Sequence, residues 1–178
     1  MRADDDPGET AREAAGRARR ATLVDGAVGG GIATVVMSLA LLGARRAGLV
    51  GQLPPEHMTA RLLDAAGLRA GTRTQDTLAT LLHGLFGVAA GALFGLVRRH
   101  PRVPLPSVAQ GVVYGGVVWL VSYMGWIPAL GLMPAATRDE PCRPVVMVLA
   151  HGIYGAVLGA LVGRRPWRRG APSRRHHT

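Results

Sequence analysis

Residues 76–97 read DTLATLLHGLFGVAAGALFGLV, and Asp76 is the one charged side chain in this run. An α-helix rises about 1.5 Å per residue, so the run is long enough to cross the roughly 30 Å hydrocarbon core of a membrane. Three further runs are nearly free of charge, at 22–44, 107–127 and 144–163. The sequence therefore predicts an all-α integral membrane protein with four transmembrane helices.

The charged residues lie mainly outside these four spans. They make up 18% of the 178 residues, and all 21 basic ones are arginine, which gives a formal net charge of +10. Arginines beside membrane spans orient helices and contact anionic lipid head groups. We therefore expect the lipid bilayer, and no nucleic acid, as the surroundings of this chain. Cys142 is the only cysteine, so no disulfide can form within the chain.

The arginines are also unequally divided between the two sides of the membrane. Fourteen lie in the N-terminal segment, the second loop and the C-terminal tail, against seven in the first and third loops. Positive residues stay on the cytoplasmic side, which places both termini there and arranges the spans as two tandem hairpins. The expected organisation is a charged cytoplasmic tail at 1–21, a transmembrane domain at 22–163 and a basic cytoplasmic tail at 164–178.

The first loop, 45–75, is longer than a simple connection. Pro54 and Pro55 followed by Glu56 are typical of a helix start, and Gly67 is typical of a helix end. We predict a short amphipathic helix at 54–67 that lies on the outer membrane surface or caps the bundle. A partly ordered polar loop is the alternative.

A motif occurs twice in the chain. The second span contains HGLFG at 83–87 and GALFG at 91–95, and the fourth contains HGIYG at 151–155 and GALVG at 159–163. The first and third spans match less well, through glycines 26, 30 and 31 against 111, 115 and 116. These matches indicate a duplicated hairpin, which is compatible with a transporter-like pathway on the pseudo-two-fold axis and with a plain packed bundle.

Glycines four residues apart occur in every span and are expected to allow close helix packing. Self-association of the whole bundle through these faces is the second interpretation. The residues concerned are Gly26, Gly30, Gly87, Gly91, Gly95, Gly111, Gly115, Gly155, Gly159 and Gly163.

Polar residues within the spans are candidates for a functional site, because an unpaired polar group in hydrocarbon is costly. We predict a polar layer in the outer half of the bundle, formed by His83, His151, Ser38, Ser122 and Tyr123. It could fix helix register, bind or pass an ion, proton or small solute, or ligate a b-type haem through the two histidines.

Asp25 and Gln110 form a candidate inner site, because they occupy matching places near the cytoplasmic ends of the first and third spans. Asp25 could be an interfacial ion pair with Arg19 and Arg20, or part of a proton relay.

Several short motifs together resemble those of the YagU-type small bacterial inner-membrane proteins. They are Leu53-Pro54-Pro55, Trp126-Ile127-Pro128, the LGLMP sequence at 130–134 and the histidine helices. The resemblance implies a multi-pass protein of the bacterial cytoplasmic membrane, and it implies no particular activity. The family is expected to carry acidic residues after the second proline turn, where this chain has Asp139 and Glu140. Arginine and alanine without lysine also suggest a GC-rich bacterial source.

The sequence contains no nucleophile elbow, phosphate-binding loop or His-Glu-x-x-His motif. We therefore expect a protein that is not an enzyme and has no cofactor or metal. It would act through helix packing, or through association with itself or with a membrane complex. The alternative is a small transporter or channel-like protein that uses the histidine layer.

Overall fold

A computed structural model describes residues 7–98, 104–139 and 142–164, with side chains from residue 12 onward. The described residues are mostly helical and include no strand. The helices are α1 (Pro7–Arg46), α2 (Pro54–Ala65), α3 (Thr72–Val97), α4 (Ser107–Val121), α5 (Ile127–Ala129) and α6 (Cys142–Gly163). A π-helical turn at Ser122–Trp126 joins α4 to α5, and Ala136–Arg138 forms a 3₁₀ turn.

The predicted all-helical fold is confirmed for the described residues. Within the described residues, four helical segments are long and apolar enough to cross a membrane: Arg12–Arg46, Thr72–Val97, Ser107–Ala129 and Cys142–Gly163. The predicted tails lie only partly within the described residues, because 1–6 and 165–178 fall outside them. Residues 7–21 are an extension of α1, since this segment is rich in alanine, arginine and glutamate, which favour helix.

The helices pack in a definite order. α1 packs against α3 and α4 packs against α6, while α1 also contacts α6. In contrast, α3 and α4 meet at only a few residues, so a seam runs between them. The core follows the α1–α6 contact, where Ala33 and Leu158 are fully buried.

Three helix ends use a glycine with positive φ, namely Gly48 after α1, Gly67 after α2 and Gly131 after α5. In each case the residue after the glycine donates its N–H to a carbonyl five residues earlier, as Leu68 does to Leu63 at 2.9 Å. This pattern closes a helix and favours glycine, because other residues are strained at positive φ.

Helix α2 lies within the long first loop and packs against α3. The Glu56 carboxylate accepts a hydrogen bond from the Leu53 backbone N–H at 3.3 Å and pairs with Arg45 at 2.8 Å. These contacts fix the start of α2 beside the end of α1. We call the half of the bundle next to α2, which includes His83, Ser122 and His151, the capped half. The other half, which includes Gly26, Gly91 and Gly159, is the glycine half.

The third span is interrupted by the π-helical turn, in which Gly125 departs from helical geometry at φ −108° and ψ −105°. Pro128 lacks a backbone N–H and its ring would clash with the carbonyl four residues earlier, so a regular helix cannot continue through it. The distortion falls one turn before this proline. It places Ser122 and Tyr123, both buried, side by side on the inner face of the span.

Candidate functional site

A cavity of about 350 Å³ lies in the capped half of the bundle, beneath α2. Its wall is predominantly apolar, and among the described residues that line it there is no Asp, Glu, Arg or Lys. The residues that line the cavity include Met37, Thr59, Ala79, His83, Phe86, Trp119, Ser122, Tyr123, Trp126 and His151. Such a cavity suits an uncharged occupant better than an ion.

The two predicted histidines face this cavity from different helices. His83 on α3 and His151 on α6 also line a smaller space of about 20 Å³ that reaches toward Thr34 and Tyr154. The Nε2 atom of His83 is buried without a hydrogen-bond partner. A buried polar atom in this state costs free energy unless a further group pairs with it.

Trp119 on α4 is the second side chain in the cavity wall with an unpaired polar atom. Its indole Nε1 is buried and has no hydrogen-bond partner. An indole N–H can only donate, so it requires an acceptor oxygen or nitrogen. The predicted polar layer did not include Trp119, although Trp119 follows Gly111 and Gly115 at a spacing of four residues.

The His151 ring has a defined hydrogen-bonding role. Its Nδ1 lies 2.8 Å from the Met147 carbonyl oxygen, one helical turn earlier. A carbonyl can only accept, so Nδ1 carries the proton. In the neutral imidazole, Nε2 of His151 is then a hydrogen-bond acceptor. The cavity wall therefore holds both a donor, the Trp119 N–H, and an acceptor.

Four of the five residues of the predicted polar layer line this cavity: His83, His151, Ser122 and Tyr123. Ser38 is half-buried, and α1 contributes Met37 and Leu41 to the wall in its place. The Ser122 hydroxyl accepts a hydrogen bond from the Trp126 indole at 3.3 Å.

Tyr123 connects the cavity to a buried ion pair between the third loop and the first turn of α6. Its hydroxyl donates to one oxygen of the Asp139 carboxylate, and the other oxygen lies 2.6 Å from Nη1 of Arg143. The Asp139 side chain is 2% exposed and that of Arg143 is 12% exposed. The sequence analysis noted Asp139 only through a resemblance and missed this network. Its signal was a pair of opposite charges four residues apart in a short loop.

The glycine half has no comparable space. Each of the ten predicted packing glycines faces another helix of the same chain, in α1–α3 or in α4–α6. A methyl group on Gly91 would overlap the Gly26 carbonyl oxygen and lie 2.6 Å from the Gly30 Cα atom. A methyl group on Gly155 would similarly lie 2.6 Å from the Gly111 carbonyl carbon. The two helix pairs therefore touch backbone to backbone.

Two tyrosines join the helix pairs below the cavity. Tyr154 on α6 donates to the Gly87 carbonyl at 2.8 Å, and Tyr114 on α4 donates to the Ala90 carbonyl at 2.7 Å. Both acceptors belong to α3, and the Phe94 ring stacks at an angle on Tyr114 with centroids 5.1 Å apart. The Tyr114 contacts close the α3–α4 seam in the glycine half, and the Tyr154 hydroxyl joins α6 to α3. The sequence analysis did not identify them.

Neither residue of the candidate inner site lines the two cavities described above. Asp25 is half-buried and has an interaction partner, and the Gln110 amide donates to the Leu105 carbonyl at 2.7 Å. At the same end, Arg98 donates to the Ser107 hydroxyl. Partial burial lowers the pKa of Arg98 from its usual value.

Comparison with known proteins places this chain in a family. It belongs to DUF6789, a family of unknown function, whose sequence model matches residues 21–171. This match does not link it to the YagU-type proteins. No curated protein and no solved structure matches the chain.

Proposed function

We propose that this multi-pass membrane protein binds a small, uncharged, lipophilic molecule in the cavity beneath α2, as a carrier or receptor and not as an enzyme. The observation that supports this is the pair of unpaired polar atoms, His83 Nε2 and Trp119 Nε1, in an otherwise apolar cavity of about 350 Å³. A packed structural core would bury few such atoms. A ligand with one polar group would pair them and fill the space.

We also propose how the bundle is oriented in the membrane. Packing of α1 with α3 and of α4 with α6 supports two tandem hairpins, and the arginine distribution supports cytoplasmic termini. The capped half then lies toward the outer leaflet of a bacterial cytoplasmic membrane. The cavity would accordingly be reached from outside the cell or from the outer leaflet.

The association role predicted from sequence would need other surfaces than the glycine rows. All ten glycines are covered by helices of the same chain. Replacing Gly91 or Gly159 by leucine would therefore separate helices within one chain. The geometry therefore favours the cavity beneath α2 as the functional site.

The test is thermal unfolding of the purified, delipidated protein with and without an organic extract of its native membranes. We expect the extract to raise the Tm of the wild type, because a ligand that binds only the folded state stabilises it. Ala79→Leu, which fills the cavity from a residue 2% exposed, should remove this gain. Ala89→Leu, on the exposed side of the same helix, is the matched control and should keep it.

Two outcomes would contradict the proposal: no rise in the Tm of the wild type, or an equal rise in the Ala79→Leu variant. If Ala79→Leu does not fold, Trp119→Phe serves instead, because it keeps an aromatic side chain and removes the N–H. An organic extract contains no folded partner protein, so a rise in Tm cannot come from association.

A further inference from the structure

The shape of the cavity's opening shows where its occupant comes from. The side chains that are both exposed and part of the cavity wall include Leu82 and Phe86 on α3 and Trp126 on the π-helical turn. They lie along the α3–α4 seam, where the helices make few contacts. Leu62 of α2 and Leu130 border the cavity at the capped end. The cavity therefore opens at the side of the bundle, between α3 and α4, toward the apolar surroundings.

One aromatic contact spans this seam beside the cavity. The rings of Phe86 and Trp126 have centroids 6.1 Å apart and are tilted by 46°. Phe86 and Trp126 are 41% and 36% exposed. No backbone hydrogen bond needs to break when two such rings separate. In the glycine half, by contrast, the Tyr114 hydroxyl holds the seam to the Ala90 carbonyl.

The polar atoms of the wall define the head group of the occupant. The Trp119 N–H requires an acceptor, and Nε2 of His151 accepts in the neutral ring. A hydroxyl group donates and accepts at once, whereas an ether or a ketone only accepts. The absence of Asp, Glu, Arg and Lys from the described lining residues disfavours phosphate, ammonium and carboxylate head groups.

On the basis of the proposed function and its orientation, we infer that the cavity takes a neutral lipid with a single hydroxyl head, which enters from the outer leaflet between Phe86 and Trp126. The hydroxyl lies among Trp119, His83 and His151, and the hydrocarbon tail lies along the α3–α4 seam. Aromatic rings and a proline-distorted turn permit the opening without unpairing the helix backbones.

The ligand class is tested with three probes of equal chain length in nanodiscs: dodecanol, dodecyl methyl ether and dodecane. We expect dodecanol to bind and the ether, which cannot donate, to bind about tenfold more weakly, because one hydrogen bond is lost. Dodecane should show no saturable binding. Trp119→Phe should weaken dodecanol binding by a similar factor, with circular dichroism confirming an unchanged fold.

The route is tested with a covalent bridge across the seam. In a Cys142→Ala background, Phe86→Cys and Trp126→Cys are joined by a short bifunctional maleimide. We expect the bridge to slow dodecanol uptake at least tenfold, while a bridge between Val97→Cys and Leu105→Cys at the other end of α3 and α4 should leave the rate unchanged. Val97 and Leu105 are exposed and outside the cavity wall.

The outcomes separate this inference from the proposed function. Equal affinity for all three probes, or no binding of dodecanol while the native extract still stabilises the protein, overturns the hydroxyl class and leaves a ligand-binding protein. Unchanged uptake after bridging overturns the route through the seam. Failure of both the probes and the native extract overturns the proposed function itself.

Discussion

The two halves of the bundle are built in opposite ways from similar helices. In the glycine half, backbones meet directly, as Gly91 does with Gly26 and Gly30, and tyrosine hydroxyls tie α3 to α6 and α4. In the capped half, large side chains hold the helices apart around a cavity of about 350 Å³. The comparison shows that small residues fix the fold at one end and so allow an open, partly unpaired site at the other.

The largest expected effect comes from breaking the closed half. Gly91→Leu should abolish the folded state, because even a methyl group there overlaps the Gly26 carbonyl oxygen. Gly84→Ala on the same helix should be neutral or stabilising by up to about 1 kcal/mol, because no atom lies within 4 Å of the added methyl group. Unfolding in detergent, followed by circular dichroism, measures both. A folded Gly91→Leu protein of wild-type stability would refute this packing.

A smaller effect is expected at the ion pair beside the capped half. Asp139→Asn should cost about 3 kcal/mol of unfolding free energy, because it leaves the nearly buried Arg143 guanidinium without its carboxylate. The exposed Arg45–Glu56 pair is the comparison, and Glu56→Gln should cost less than about 1 kcal/mol. Denaturant titration of both variants gives the two values. Equal losses of unfolding free energy in the two variants would contradict a larger contribution of the buried Asp139–Arg143 pair to stability.

The smallest effect is expected from one hydroxyl. Tyr154→Phe should cost about 1 kcal/mol, because it removes the buried hydrogen bond to the Gly87 carbonyl and leaves the aromatic ring in place. Ligand binding in the cavity should stay unchanged, since Tyr154 lines only the small space below it. Paired measurements of Tm and dodecanol affinity test both statements. A large loss of affinity with unchanged stability would place Tyr154 in the ligand site.

The helical class could be predicted from the sequence, and so could the two histidines as inward-facing residues. Membrane spans require long apolar runs, and a glycine row marks the face that meets another helix. His83 and His151 continue such rows, and the structure brings them to one cavity. The hydrogen bond of Tyr123 to Asp139 and the contacts of Tyr114 and Tyr154 with α3 depend on how separate segments meet. No periodic pattern in the sequence encodes those meetings.

The placement of Ser38 shows where stepping along a helix fails. Ser38 follows Gly26 by three steps of four residues, and each such step drifts about 40° around the helix. Ser38 therefore lies about 120° away from the face that carries Gly26. Met37, eleven residues after Gly26, lies within about 20° of that face and lines the cavity. Ser122 and Tyr123 line the cavity despite this drift, because the π-helical turn brings both to the inner side of the span.

The repeat was also aligned one turn away from the observed contacts. Sequence matching set Gly26 and Gly30 against Gly111 and Gly115. In the structure, however, Gly30 faces Gly87 and Gly91, while Gly111 faces Gly155 and Gly159, so Gly30 and Gly111 occupy equivalent contacts. Glycines four residues apart look alike in sequence at any shift of one turn. Only the packing partner fixes the register.

The most direct test of the account is native mass spectrometry of the protein released from its own membranes in mild detergent. We predict a single chain that retains one small organic molecule, and we predict that Ala79→Leu loses this molecule while Ala89→Leu keeps it. A bare chain, or a small molecule retained equally by both variants, would contradict a ligand in the cavity beneath α2. A protein partner bound to an otherwise bare chain would support the association role instead.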